Sequence, residues 1–328
     1  MRMPIEHALL LHCHSAHIAK RIVGVYAGLL ALEAFPFRFQ IHVNPSPLLM
    51  EELTRTRRCL FYHEIGENST AADFELMEMV NRVYRPHGHQ LVLIAEPVAD
   101  YLDLAIRFEV GNILFSDSIE ASTVRALTHR LLGSDFFGFG PFFPEQWDGI
   151  SQQHTFTGKV DRAGIVDRTF GLFLQSLHAP YRHLFHGQMS ELLTNAFAYG
   201  VLEITPEERD ANILHIPTII EIPPDKEVRI TLVQDKEKYG ISVIDPGGSL
   251  TLLRILQKLR RHTPAKGEPL PIGIDDLTGR GLFIVSRQSR VVINILRGKC
   301  TEVILLGYFN ENRNCYKSLI INEKYPTI

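Results

Sequence analysis

Glu191-Leu-Leu-Thr-Asn-Ala-Phe-Ala-Tyr-Gly200 is the stretch on which the second half of the chain turns. Its apolar residues recur at the three-to-four spacing of an amphipathic helix, so Glu191 and Asn195, four apart, share one face. A carboxylate there can orient or deprotonate an attacking hydroxyl or water. The amide oxygen of Asn195 is a hard ligand suited to Mg²⁺. Taken alone, the same pair is more often a solvated helix face.

Two short motifs follow in order. Asp245-Pro-Gly-Gly248 comes directly after the predicted strand Tyr239–Ile244. An aspartate closing a buried strand can accept a hydrogen bond from the exocyclic amine of a purine, while Gly247 and Gly248 let a flat ring approach the backbone. A Pro-Gly turn with an aspartate cap is the competing reading. Gly279-Arg280-Gly281-Leu282 then leads into the helix-like run Phe283–Ser286. Glycines opening a helix expose N–H groups and the positive dipole end to phosphate oxygens, and Arg280 adds charge. A glycine turn without a ligand is the plainer alternative.

Around these motifs, Ala163–Leu177 and Tyr181–Tyr199 read as helices. Val228–Gln234, Tyr239–Ile244, Arg290–Leu296 and Thr301–Phe309 read as strands. Helices followed by paired strands predict an α+β layer with an antiparallel or mixed sheet. The long insertion from Gly248 to Gly279 carries Lys258, Arg260 and Arg261, which suit either a terminal phosphate or a solvated basic helix.

In order, separation and context, ELLTNAFAYG, VIDPGG and TGRGLFIV resemble the nucleotide-binding boxes of the GHKL ATPase superfamily over about residues 160 to 310. That family includes gyrase, histidine-kinase catalytic domains and anti-sigma serine kinases. The likeness is closest to the last group, then to the histidine-kinase domains. The resemblance implies a GHKL (Bergerat) sandwich that binds ATP with Mg²⁺. It implies Glu191 as the base or water-orienting residue, Asn195 as the Mg²⁺ ligand and Asp245 as the adenine contact. Gly247, Gly248, Gly279, Arg280 and Gly281 would contact the nucleotide, and Gly248–Thr278 would be a lid. The further glycine often found in the second box is replaced here by Ser249 or Leu250. No histidine before Glu191 has the acid-then-proline followers of a sensor-kinase phosphoacceptor, which disfavours autophosphorylation on histidine.

The first half is organised differently. Ala8–His12, Phe39–Val43, Arg58–Tyr62, Gln90–Ala95 and Asn112–Phe115 are apolar enough for strands buried on both faces. Ala16–Ala34, Ala71–Tyr84, Asp100–Phe108 and Ile119–Leu132 suit crossover helices. A flavodoxin-like five-stranded parallel sheet over residues 1–133 is expected, and it resembles a response-regulator receiver. A working receiver needs an acidic pair after the first strand and an acceptor aspartate after the third. The corresponding places hold His12-Cys13-His14 and Tyr62-His63-Glu64, so a pseudo-receiver that accepts no phosphate is expected. The same residues, with His17, offer borderline ligands for Zn²⁺ or another transition metal, against the plainer reading of a polar rim. His12 and His14 share one side of the strand and Cys13 does not.

Residues 134–159, with five Phe between Phe136 and Phe143 and the chain's only Trp, Trp147, read as an ordered apolar linker before a domain at 160–328. Across 328 residues, 34 Lys and Arg nearly balance 37 Asp and Glu. No broad field favours nucleic acid or a lipid surface. No run reaches the roughly 18 apolar residues of a membrane span, and four scattered cysteines imply no disulfide framework. A cytoplasmic signalling regulator is expected, acting on a protein partner such as an antagonist or sigma-type regulator. It would phosphorylate Ser or Thr of that partner or sequester it. ATP-gated binding without catalysis and histidine-kinase-like transfer to a separate protein are the alternatives. The oligomeric state is open, with the Phe-rich linker and the family likeness favouring a homodimer.

Overall fold

The computed structural model describes residues 6–32, 35–66, 69–96, 101–117, 119–133, 136–143, 148–205, 208, 216–264, 267–273, 280–310 and 316–326. The chain is mixed α/β and divides into two compact units, Met1–Ser134 with Ser318–Ile320, and Asp135–Lys317 with Ile321–Ile328.

In the first unit, β1 (Glu6–His12), β2 (Arg38–Val43), β3 (Cys59–Ile65), β4 (Gln90–Ala95) and β5 (Asn112–Phe115) are ordered β2-β1-β3-β4-β5. All of these neighbours pair parallel. Leu319 and Ile320 pair antiparallel with Ile113 and Asn112. β3 is buried along its whole length, as a central strand covered on both faces requires. Helices α1 (Ala16–Leu30), α3 (Ala71–Met79), α4 (Tyr101–Arg107) and α5 (Ala121–Leu132) fill the expected connections. The buried hydroxyls of Tyr26 on α1, Tyr62 on β3 and Thr128 on α5 join these elements, with Tyr26 Oη 3.0 Å from Tyr62 Oη and 2.8 Å from Thr128 Oγ1.

One crossover is not expected from the sequence. Pro47–Thr56 is a helix, α2, in a stretch to which the sequence reading assigns no element. Ser46 is the N-cap, its Oγ accepting the Leu49 N–H, and Pro47 takes a first-turn position where its missing N–H costs nothing.

The second unit has a sheet ordered β11-β12-β10-β9-β6, antiparallel throughout. Its strands are β6 (Ile150–Phe156), β9 (Val228–Gln234), β10 (Lys238–Asp245), β11 (Arg290–Leu296) and β12 (Cys300–Tyr308). A separate two-stranded sheet pairs β7 (Gly158–Asp161) with β8 (Ile219–Ile222), and the last strand, β13, runs Leu319–Lys324. The helices are α6 (Ile165–Ser176), α7 (Ala179–Asn195), α8 (Leu252–Arg261) and α9 (Gly281–Gln288).

The linker reading of 134–159 needs correction. Residues 150–156 form β6, an edge strand along β9 whose mostly polar side chains remain accessible. The Phe-rich segment before it packs on the second unit. Phe139 lies against Gly240, where an added Cβ would come within 2.5 Å of the ring, and Lys238 sits 4.7 Å above the Phe143 ring. The Gly138 N–H donates to both oxygens of Glu302, a fully buried carboxylate, at 2.9 and 3.1 Å. Ser242 Oγ and Asn294 Nδ2 complete its donors at 2.7 and 2.8 Å. Trp147 lies outside the described residues.

No helix among the described residues is long and apolar enough to cross a membrane.

Candidate functional site

The site grows from α7. Phe185, Met189, Leu192 and Leu193 are buried and fix the helix on the sheet. Gln188, also buried, donates through Nε2 to Ser289 Oγ at 2.8 Å and accepts from Tyr239 Oη at 3.1 Å. That amide ties α7 to the end of α9 and to β10, which sets the rotation of the turn that follows. Glu191 and Asn195 therefore come to one cavity, and Asn195 Nδ2 donates to Glu191 Oε1 at 2.9 Å. After Asn195 the helix widens into a π turn over Ala196–Val201, where the Leu202 N–H reaches the Phe197 carbonyl. This turn brings Tyr199 to the cavity and Gly200 against Asp245, where a Cβ would lie 2.6 Å from Asp245 Oδ1.

The floor comes from strand alternation. Val243 and Asp245 of β10, Thr301 and Val303 of β12, and Ile293 of β11 all line the cavity. Thr301 is the register partner of Asp245 and is buried. Leu282 at the start of α9 and Ser249, Leu250, Arg254, Ile255 and Lys258 supply the remaining walls. Counted out to its mouth the cavity is about 980 Å³.

Asp245 dominates the electrostatics. Enclosure by protein raises its carboxyl from the ordinary 3.8 to about 7, opposed only by the hydrogen bond that Oδ1 accepts from the Gly247 N–H at 2.9 Å. A fraction of the side chain still meets the cavity.

The structure therefore brings Glu191, Asn195 and Asp245 together. Gly281 joins them, since a Cβ there would fall inside the Glu191 carboxylate. The start of α9 thus faces an anionic group, a favourable end for its dipole. Gly247 is packed against Gly200, its added Cβ 3.1 Å from Gly200 Cα. Gly248 is not a cavity residue. At φ +64° it faces the β11–β12 turn, where a Cβ would lie 2.6 Å from both Leu296 O and Lys299 N. The fold itself therefore requires glycine at this position. Arg280 is exposed just before α9, and Gly279 lies outside the described residues, as do 265–266 and 274–278 of the expected lid. The described part of that lid contains α8. Leu252, Ile255, Leu256 and Leu259 of α8 are buried, and Thr251 caps the helix by accepting the Arg254 N–H.

No protein-family model matches the chain, and no curated protein matches it.

Two polar lining residues are not among those the sequence singles out. Thr301 reaches the site only through cross-strand register. Arg254 belongs to the first turn of α8, and the basic cluster noted in the sequence lies at the last turn.

The first unit carries a second cluster, at the carboxyl ends of β1 and β3. His12 Nδ1 lies 3.4 Å and His63 Nε2 3.9 Å from Asp73 Oδ1, while His14 Nε2 is 3.2 Å from Asp73 Oδ2. The His12 and His63 rings stack at 4.8 Å, 7° from parallel. Burial lowers both imidazoles, His63 to about 4, with the neighbouring rings adding to the effect and Asp73 opposing it. Cys13 and Glu64, counted with this group from the sequence, are not among the ligand atoms that cluster here. Cys13 is a buried thiol raised to about 12 by burial and then by Glu64, and Glu64 Oε2 accepts the Ser15 N–H at 2.9 Å.

Proposed function

We propose that the second unit is a GHKL-type ATP-binding domain with a Bergerat sandwich. The first unit would then be a flavodoxin-like pseudo-receiver that serves interaction or sensing. The protein uses Mg-ATP on a protein partner, phosphorylating a Ser or Thr or sequestering the partner in the ATP-ordered state. The observation that carries this reading is the convergence of a helix face, a strand end and a glycine-led helix start on one apolar cavity. The first unit's β2-β1-β3-β4-β5 order is that of flavodoxin-like sheets.

The residues fit the nucleotide chemically. The cavity is open to solvent and lined mainly by apolar side chains with a few polar groups converging on it, the make-up of small-molecule sites. Val243, Ile293 and Val303 give an apolar floor for a ring, and the Asp245 carboxyl, across the strand register from Thr301, offers an oxygen that accepts from an exocyclic amine. Glu191 and Asn195 offer the hard oxygens that Mg²⁺ prefers, and Arg254 and Lys258 bring positive charge to the same space. Mg-ATP, when bound, supplies the phosphoryl group. Glu191, steadied by the Asn195 amide, would hold or accept the proton of the attacking hydroxyl. Positioning and charge neutralisation by these side chains would supply most of the rate.

Calorimetric titration with Mg-ATP tests the reading. Wild type should bind, Asn195→Ala should lose the magnesium dependence, and Asp245→Ala should lose binding by more than tenfold. Unchanged affinity in both variants refutes the assignment. With labelled ATP and candidate partners, label on Ser or Thr supports transfer, and Glu191→Ala should abolish it.

A further inference from the structure

Two imidazoles and one carboxylate meet in the first unit in a way that their helix-capping and strand roles do not explain. Asp73 is the third residue of α3, and its Oδ2 caps the helix by accepting from the Thr70 N–H and, at 2.8 Å, from the Thr70 hydroxyl. That accounts for one oxygen. The other, Oδ1, faces His12 Nδ1 and His63 Nε2, and neither nitrogen has a hydrogen-bond partner among the described residues. His63 and Asp73 are each 2% exposed, so solvent does not satisfy them. Beside the two rings lies an apolar pocket lined by Met50, Phe61, Leu76 and Met77, which is not the wall of a solvated polar rim. Unpaired polar atoms buried in such surroundings are costly unless a further group engages them.

We infer that His12, His63 and Asp73 form a binding site for a first-row divalent transition-metal ion of the zinc class. Their ligating atoms all lie within 4.8 Å of one another. Ligands about 2.1 Å from a tetrahedral centre stand about 3.4 Å apart, close to the His12–Asp73 and His63–Asp73 separations. Two nitrogens and one carboxylate oxygen suit Zn²⁺ and its neighbours better than Mg²⁺ or Ca²⁺, which prefer all-oxygen sets. His14 on Asp73 Oδ2 and the Thr70 cap hold the carboxylate in place, the support that metal ligands commonly receive. Three protein ligands leave a position for water or an external ligand. An ion lies in the plane of each imidazole that binds it, and the two rings are now nearly parallel. Loading therefore turns one ring, and His12, 32% exposed at its side chain, is the one with room to turn. The inference does not depend on the nucleotide reading of the second unit.

The test uses the full chain without nucleotide, titrated with Co²⁺ under a competing chelator and followed by visible absorption. Wild type should take up one equivalent with the intense bands of a four- or five-coordinate site, and Zn²⁺ should displace it. His12→Gln and His63→Gln should each weaken binding at least tenfold, while Asn195→Ala in the second unit should leave it unchanged. His12→Gln alters a partly exposed side chain, so it keeps the test valid if His63→Gln fails to fold. Absence of stoichiometric uptake by wild type, affinity unchanged in His12→Gln, or loss of the signal in Asn195→Ala would each overturn the inference.

Discussion

Replacing Asp245 with asparagine should remove a pH dependence from the stability of the second unit. The carboxyl is displaced from 3.8 to about 7 because protein encloses it at the end of β10, with the Gly247 N–H the opposing contact. Since the folded state holds the proton more tightly than the unfolded chain, this group's contribution is full below about pH 4. It is lost as pH rises to 7 and is flat above that. Each pH unit of the displacement is worth ~1.4 kcal/mol, so the whole window amounts to about 4 kcal/mol. That figure is an upper bound, because the carboxylate borders an open cavity where water screens it. Urea denaturation of wild type and Asp245→Asn between pH 5 and pH 8 isolates the effect, since every other group cancels in the difference. Across two pH units below 7, wild type should gain up to ~2.7 kcal/mol relative to the variant. Parallel stability curves would refute the claim that enclosure governs this carboxyl.

Two further substitutions separate fold from site. Gly248→Ala puts a Cβ at φ +64° within 2.6 Å of Leu296 O and Lys299 N, and should cost about 2 kcal/mol or more in thermal denaturation. An unchanged midpoint would show that the β11–β12 turn yields freely. Glu302→Gln turns an amide NH₂ toward donors from Gly138, Ser242 and Asn294, and should cost about 2–3 kcal/mol. It should also speed hydrogen exchange in residues 136–143. Exchange that stays slow there would mean Glu302 does not hold that segment.

The parallel strands of the first unit were legible because strands buried on both faces are apolar at every position, as Leu9–Leu11 and Leu91–Ala95 are. The weaker elements were hidden for physical reasons. In β6, Gln152, Gln153 and His154 lie on a sheet edge, where one face and one ladder side are open, so no apolar period marks them. α2 opens on Pro47, a residue that breaks helix interiors but that the first helical position tolerates. The five-Phe segment was recognised as apolar. What it covers could not be read, because its anchor is a main-chain N–H, that of Gly138, which carries no side-chain signal.

The same distinction governs the sites. Glu191 and Asn195 are visible in sequence because a helix turns four-residue spacing into proximity. Thr301 and Asp73 are not, because each reaches its partners through the register or packing of distant elements. Asp73 did leave one trace. Thr-Ala-Ala-Asp is a capping-box pattern, and a helix starting just after β3 must return its first turn to the carboxyl ends of the strands, where His12 and His63 already lie. The corresponding trace for Thr301 is its neighbour. Adjacent strand residues face opposite sides, so the buried Glu302, held under the Phe-rich segment, commits Thr301 to the cavity face beside Asp245. A one-residue slip of β12 would bury the threonine under the phenylalanines and put a second carboxylate beside Asp245. The burial of Glu302 therefore fixes the register on which the cavity's acceptor depends.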